Sequence, residues 1–287
     1  MVRRPGQRSG LDASAMAALQ TALEDPIFEL LPLKNIAEQI PHLPAGARVS
    51  VTASPAKGID ATVDWAAQLQ ASGFRAIPHL SARMIPSRAK LADLLDRCRD
   101  AGLTRVFVVG GDADEPGEYL DGLSLLRAMA ELGHPFEHIG CPGYPSGHAD
   151  IPDDALEAAL RDKAPLVDHV TSQMDFDTKA VAAWVRRLRG EGFGPAIVIG
   201  VPGVADPQKL LNVAARIGVK DAKRFLFKNL RFVTGMARSG GFYKPTGFVE
   251  ALAPLLADPA ANVTGFHLYT FNAVEATEAW RRSMLDG

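Results

Sequence analysis

Short apolar runs rich in β-branched residues recur along the chain, and most end in a polar or aromatic side chain. They extend from Ile27 to Pro32, Arg48 to Ala53, Ala76 to Ser81, Arg105 to Asp112, His138 to Pro145, His169 to Phe176, Ala196 to Gly203 and Gly265 to Asn272. Continuous runs of this length read as strands buried on both faces. Between them the apolar spacing changes to that of helices. Residues 60–71 carry Val63, Ala66, Ala67 and Leu69, and residues 87–101 carry Leu91, Leu94, Leu95 and Cys98 before Gly102 stops the pattern. Residues 118–132 end at Gly133, 152–163 open on Pro152, and 178–189 present Val181, Trp184, Val185 and Leu188 on one face behind a cap at Asp177. A further pattern covers 207–217, and a first short helix through Met16, Leu19 and Leu23 is capped by Asp12 or Ser14.

Eight strands alternating with helices predict an α/β protein, a single (β/α)8 barrel of the TIM type over residues 13–287. The long connection before the last run holds two more helical patterns, 222–237 and 247–256. They are too short to bury a core of their own, so they are expected as extra helices between strands seven and eight. Residues 1–12, basic and Gly-containing, are expected to be a disordered lead-in. In such a barrel the carboxyl ends of the strands build the site. That directs Glu29, Thr52, His79, Asp112, Tyr144, Gln173 and His267 toward one pocket.

Composition narrows the picture without changing it. A chain of 287 residues with a net charge of -2 suits one barrel and gives no reason to expect a nucleic-acid partner. The densest basic cluster, Lys220, Lys223, Arg224, Lys228 and Arg231, reads as a solvated helix face. Cys98 and Cys141 match no metal or redox spacing, and two buried thiols fit a reducing cytoplasm. No apolar core follows Arg3, Arg4 and Arg8, so no signal peptide is expected, and no run reaches the length of a membrane span.

The motifs are individually weak. Gly110-Gly111-Asp112 closes the clearest strand, where glycine lets backbone approach a ligand, but the same triplet is an ordinary turn. Gly140, Gly143 and Gly147 form no dinucleotide fingerprint, and no phosphate loop or serine elbow is present. Tyr144, beside a glycine-containing loop, has a ring that stacks on a planar ligand or packs. His134 and His138 are separated by Pro135 and lie on no common helix face, so no metal is expected. Glu29 stands out most. A carboxylate in an apolar strand is costly to bury without a partner or a task, and burial is also what turns a carboxyl group into a useful general acid.

Taken in order, the strand ends resemble the methylenetetrahydrofolate reductase family. The matching residues are Phe28-Glu29, Val51-Thr52, Pro78-His79-Leu80 and Gly111-Asp112. They continue with Gly143-Tyr144-Pro145 and Gly147-His148, Thr171-Ser172-Gln173 with Phe176-Asp177, and Gly265-Phe266-His267 with Tyr269-Thr270 and Asn272. The resemblance covers Ile27 to the end of the chain. It implies a (β/α)8 barrel that reduces 5,10-methylenetetrahydrofolate to 5-methyltetrahydrofolate with hydride from NADH or NADPH, in most members through a bound flavin. It implies Glu29 as general acid, Asp112 as the carboxylate that binds the pterin and supports its cation, and Gln173 as a pterin-binding amide. Tyr144 is implied beside both ligands, and Thr52, His79 and His148 near the cofactor.

Departures from the family pattern bear on the flavin. The arginine usual before Gly-Asp at the end of strand four is Gly110. The Asn, Arg and Lys that face a flavin diphosphate fall, counted without gaps, at Ala158, Arg161 and Asp162. An acid beside a diphosphate repels it. The expectation is therefore a reductase passing hydride directly from NADH, with FAD disfavoured. An FAD-dependent reductase, a non-catalytic folate-binding module and a pterin-dependent methyl-transfer barrel are the alternatives.

Overall fold

In the computed structural model each apolar run supplies a strand, and the strands close on themselves. The structure describes residues 10–111, 113–206, 210 and 241–286. The strands are β1 (Ile27–Leu30), β2 (Arg48–Val51), β3 (Arg75–Ser81), β4 (Arg105–Val109), β5 (His138–Gly143), β6 (His169–Ser172), β7 (Ala196–Pro202) and β8 (Val263–Tyr269). Each pairs in parallel with the next, and β8 pairs back onto β1 to complete the closed barrel. The strands are shorter than the runs. Thr52, Gly110, Tyr144 and Gln173 lie just past the ladder, where a side chain can leave the wall and face the mouth.

Four of the described α-helices begin where a side chain caps them. Asp12 caps α1 (Ala13–Glu24), and α3 (Gly58–Ala71) follows β2. Ser87 caps α4 (Arg88–Asp100). Asp121 caps α5 (Gly122–Leu132) in a reciprocal capping box with Ser124, so this helix begins later than its apolar pattern suggested. Gly133, left-handed, ends it. Pro152 precedes α6 (Asp153–Lys163), and Asp177 caps α7 (Thr178–Gly190) through the amides of Lys179 and Ala180. Beyond β7 come α8 (Thr246–Ala257) and, after β8, α9 (Val274–Leu285). The crossover from β1 to β2 carries only the four-residue α2 (Ile36–Gln39) and a single 3-10 turn, as expected of a segment holding Pro32, Pro41 and Pro44. The predicted helices at 207–217, apart from Leu210, and 222–237, the basic cluster from Lys220 to Arg231 and the lead-in arginines lie outside the described residues.

Among the described residues two apolar clusters hold the barrel. The larger lies between strands and helices, and buries Leu91, Leu94, Leu95 and Cys98 of α4 and Val181, Trp184, Val185 and Leu188 of α7. Each such leucine contributes about 1.5–3 kcal/mol. The smaller, Ile27, Ile77, Phe107 and Val198, plugs the barrel interior. Among the described residues no helix is long and apolar enough to cross a membrane.

Candidate active site

Glu29 sits on β1 opposite Ser50 of β2 and Tyr269 of β8. It is 9% exposed, deep for a carboxylate. Its Oε2 lies 3.2 Å from Nε2 of His267, itself 2% exposed on β8. The partner that apolar burial requires is thus an imidazole. His267 packs 4.9 Å, ring to ring, from Tyr269, and 6.3 Å from both His79 and Phe107.

Tyr269 is fixed by its hydroxyl, which donates to the carbonyl of Ser172 at 3.0 Å. Burial, and then the nearby Glu29, push that hydroxyl well above the usual tyrosine range, so it stays protonated. Its ring needs Gly200: a Cβ there would stand 2.6 Å from the ring and 2.2 Å from the Ser172 carbonyl. The Ser172 hydroxyl in turn accepts from the Gly200 amide at 2.9 Å.

His79 on β3 lies 4.7 Å from Phe107 and is buried. Burial, and then His267, pull its pKa down to about 3, so the ring is neutral. Its Nε2 has no hydrogen-bond partner among the described residues, and neither have the hydroxyls of Ser50, Thr52, Ser81 and Thr171. Ser50 is paired in register with Ile77, and Thr171 with Val198. Both therefore share the interior face with the plug. Unpartnered buried polar atoms are uncommon in folded proteins, and a group of them facing one interior suits the polar edge of a ligand.

A second group stands at the mouth. Tyr144 and His148 meet edge to face at 5.5 Å. The Ser146 hydroxyl donates to Asp175 Oδ2, and Asp175 Oδ1 accepts from the amides of Phe176 at 2.7 Å and Asp177 at 2.9 Å. Asp175 thereby ties the loop carrying Tyr144 and His148 to the end of β6. Burial pushes its carboxyl up, and these hydrogen bonds offset part of the rise. Gln173 accepts from the Met174 amide at 2.8 Å through Oε1. Its backbone N–H donates to the Gly143 carbonyl at 2.7 Å. Asp112 lies outside the described residues.

The seam between β8 and β1 is pinned by Asn272, in left-handed backbone. Its Oδ1 accepts from the Leu31 amide at 2.9 Å, while Nδ2 donates to the Leu31 carbonyl and to Asn35 Oδ1, both at 3.0 Å.

The family model described as "Methylenetetrahydrofolate reductase" matches residues 31–283. The chain belongs to the methylenetetrahydrofolate reductase family. The matched span opens just past Glu29. "Methylenetetrahydrofolate reductase 1" of Schizosaccharomyces pombe is 24% identical over 197 residues, 64% of this chain and 31% of that protein. "Probable methylenetetrahydrofolate reductase (NADPH)" of Caenorhabditis elegans is 24% identical over 256 residues, 83% of this chain and 38% of that protein. The chain thus spans about a third of the length of these curated relatives. Among solved structures, a family GH18 chitinase from Cycas revoluta superposes with a TM-score of 0.51 at 10% identity, covering 91% of this chain and 98% of that one. That likeness shows the barrel alone.

The resemblance implies that a flavin diphosphate, where one is bound, lies against the flank of α6. Ala158 and Asp162 are exposed there. Arg161 is engaged by Glu157 at 3.3 Å and Glu191 at 3.5 Å, and Arg187 is held by the same two acids. Glu157, Arg161, Arg187 and Glu191, but not Ala158 or Asp162, line part of a cleft of about 350 Å³ with Tyr144, Ser146 and Lys163. Arg161 and Arg187 are engaged by Glu157 and Glu191, so among the described residues of this cleft Lys163 alone offers a cation without an ion pair, a poor match to the charge of a diphosphate. Among the described residues no group of three or more His, Cys, Asp or Glu could hold a metal ion.

Of the residues singled out in the sequence, Glu29, His79 and His267 come together inside the barrel, with Thr52 just past the end of β2. Tyr144, His148 and Gln173 gather at the mouth. Sequence reasoning gave no role to Tyr269, Ser50, Ser81, Thr171 or Asp175, although Tyr269 and Thr171 stand in the matched motifs. The first four could have been found from the two-residue period of a strand, since Tyr269 follows His267, Ser81 follows His79, and Ser50 and Thr171 precede Thr52 and Gln173, by one inward step. Asp175 carried no signal beyond that of a turn residue.

Proposed function

We propose that this barrel reduces 5,10-methylenetetrahydrofolate to 5-methyltetrahydrofolate, with hydride taken directly from NADH. The observation that carries the reading is the buried Glu29–His267 contact, because it sets an acid, oriented by an imidazole, at the interior end of the site. In this reading Glu29 delivers a proton to the nitrogen that leaves when the five-membered ring opens. His267 holds the carboxyl in place. Asp112 supplies the negative charge that supports the resulting iminium cation and binds the pterin, a preorganised electrostatic role. The side-chain N–H groups of Gln173 face the pterin, since its oxygen is already occupied by Met174.

A reduced nicotinamide, when bound, supplies the hydride. The unpartnered polar atoms of Thr52, His79 and Ser81, with the Tyr144–His148 ring pair, are the groups that would hold and orient it. His79, neutral at physiological pH, can offer Nε2 to an amide without adding charge. Family membership supports the folate reduction, and the poor fit of the α6 flank to a diphosphate supports a flavin-free enzyme. NADPH is the alternative donor.

The test is an absorption spectrum of the purified protein followed by assay of NADH oxidation with methylenetetrahydrofolate, with and without added FAD. A colourless protein active without flavin is expected. Stoichiometric flavin released on denaturation, or activity only with FAD, would show a flavin-dependent member. Folate binding with no turnover under either condition would show a binding module.

A further inference from the structure

At the end of the barrel opposite this site, five consecutive strands each open on a basic residue: Arg48, Arg75, Arg105, His138 and His169. Register sets Arg48 beside Arg75 and Arg105 beside His138. Arg48, Arg105, His138 and His169 line a cavity of about 180 Å³, closed toward the active site by Ile27, Ile77 and Val198 of the interior plug.

The acids nearby do not balance these bases. Asp25 serves both Arg48, at 3.3 Å, and Arg75. Asp168, also in the cavity wall, uses Oδ2 to accept the Ile139 amide at 2.7 Å. Arg105 forms no ion pair or hydrogen bond among the described residues; Glu137 is close enough to act on it through space but stands exposed. Arg48 is recessed, its side chain 20% exposed; its Nε makes the contact with Asp25 outside hydrogen-bond geometry, and its Nη2 donates to the Asp25 carbonyl. Burial and the neighbouring guanidiniums lower the pKa of both Arg48 and Arg105. A stabilising ring of ion pairs would give each arginine its own acid. Here Arg48 and Arg75 share Asp25 and Arg105 has no ion pair among the described residues, in a recess where repulsion is weakly screened.

We propose that this amino-terminal mouth binds a small tetrahedral dianion of the phosphate class, held by Arg48 and Arg105 with N–H donors from His138 and His169. Guanidinium forks match the oxygen spacing of phosphate and bind it through charge-assisted hydrogen bonds. The cavity is smaller than the roughly 300 Å³ at which pockets for drug-sized ligands begin, so it suits a free ion and excludes a nucleotide or a folate. The plug separates it from Glu29, and the inference stands whether or not the proposed reductase activity does.

The experiment is calorimetric titration of the full chain with inorganic phosphate at constant ionic strength in chloride, repeated on Arg105→Gln and Arg161→Gln. Arg105 leaves no stranded partner when removed, so Arg105→Gln is expected to unfold in chloride at no lower temperature than the native chain. Saturable binding is expected in the native chain, weaker by at least about tenfold in Arg105→Gln and unchanged in Arg161→Gln. Phosphate should also raise the melting temperature of the native chain more than that of Arg105→Gln, which separates a site from the general effect of a kosmotropic salt. No saturable heat in the native chain, equal affinity in Arg105→Gln, or loss of binding in Arg161→Gln would each overturn the proposal. So would a fall in the stability of Arg105→Gln in chloride, since that would make Arg105 structural.

Discussion

Glu29 and His267 meet across the seam where the barrel closes, carboxylate oxygen to imidazole nitrogen at 3.2 Å. Neither is the register partner of the other: Glu29 lies opposite Tyr269, and His267 opposite Ile27. The contact is diagonal and exists only if β8 docks on β1 in this register. Closure of the fold and assembly of the acid are therefore one event.

If Glu29 is the general acid, Glu29→Gln keeps the shape and the contact with His267 but has no proton to give. Turnover with methylenetetrahydrofolate should fall by about 10²–10⁴-fold, with folate affinity and melting temperature nearly unchanged. Steady-state kinetics beside a binding titration checks this. Near-native turnover would remove Glu29 from the mechanism.

His267 is assigned a positioning role, which a conservative replacement can expose. His267→Gln retains an N–H that can reach the carboxylate, whereas His267→Leu retains none. Turnover should fall in both, by more in the leucine variant, with KM for NADH held in each. Equal losses in the two, tracking a common loss of stability, would make His267 a packing residue.

Much of this arrangement is legible in the sequence. Eight apolar runs foretell eight strands because parallel barrel strands are covered on both faces and so stay apolar throughout. Glu29 is conspicuous for the same reason, as a charge inside such a run. That uniform apolarity also hides the inward alternation, so Tyr269 and Ser81 received no role beside His267 and His79. The connection from β1 to β2 was unreadable as helix because its prolines leave room for only one short turn. Asp175 looks like any acid before a helix, and only the fold brings Ser146 to it.

The seam can be attacked away from the chemistry. Asn272→Ala strands the amide and carbonyl of Leu31 and puts alanine, which tolerates left-handed backbone less well than asparagine, at that position. Each unmet backbone group costs about 1–3 kcal/mol, so a loss of about 2–4 kcal/mol is expected. Urea denaturation measures it. Activity should fall with it even though Asn272 touches neither ligand, because the Glu29–His267 contact crosses the same seam. A variant of native stability would show that the clamp is redundant.

Gly200 tests the interior packing more severely. No rotamer relieves a β-carbon placed 2.2 Å from a backbone carbonyl, so Gly200→Ala must move β7, β6 or the Tyr269 ring. A loss of about 1–3 kcal/mol is expected, together with lower turnover as Tyr269 shifts against His267. Native activity and stability in that variant would mean that the wall yields without cost and that Tyr269 has no part in holding the site.

Acid should unfold this protein through its buried histidines before its carboxylates. Burial holds His79 down to about 3 and His169 to about 4, whereas in the unfolded chain each titrates near 6.5. Above that value both states are neutral at these positions and the groups add nothing to the pH dependence. As pH falls below 6.5 the unfolded chain takes up protons that the folded chain refuses, so stability declines until the folded values are reached. The limiting slope is about 1.4 kcal/mol per pH unit for each histidine. Asp175, whose carboxyl is pushed up, acts in the opposite sense and keeps the net slope below the sum of the two. Asp25 and Asp60, held low by their arginine and lysine partners, contribute only in more acidic solution. Urea midpoints should therefore drop between pH 6.5 and 4.5, and the drop should be shallower in His79→Leu, which removes one of the titrating rings. An equal or steeper decline in that variant would show that His79 is not the group the folded barrel keeps neutral.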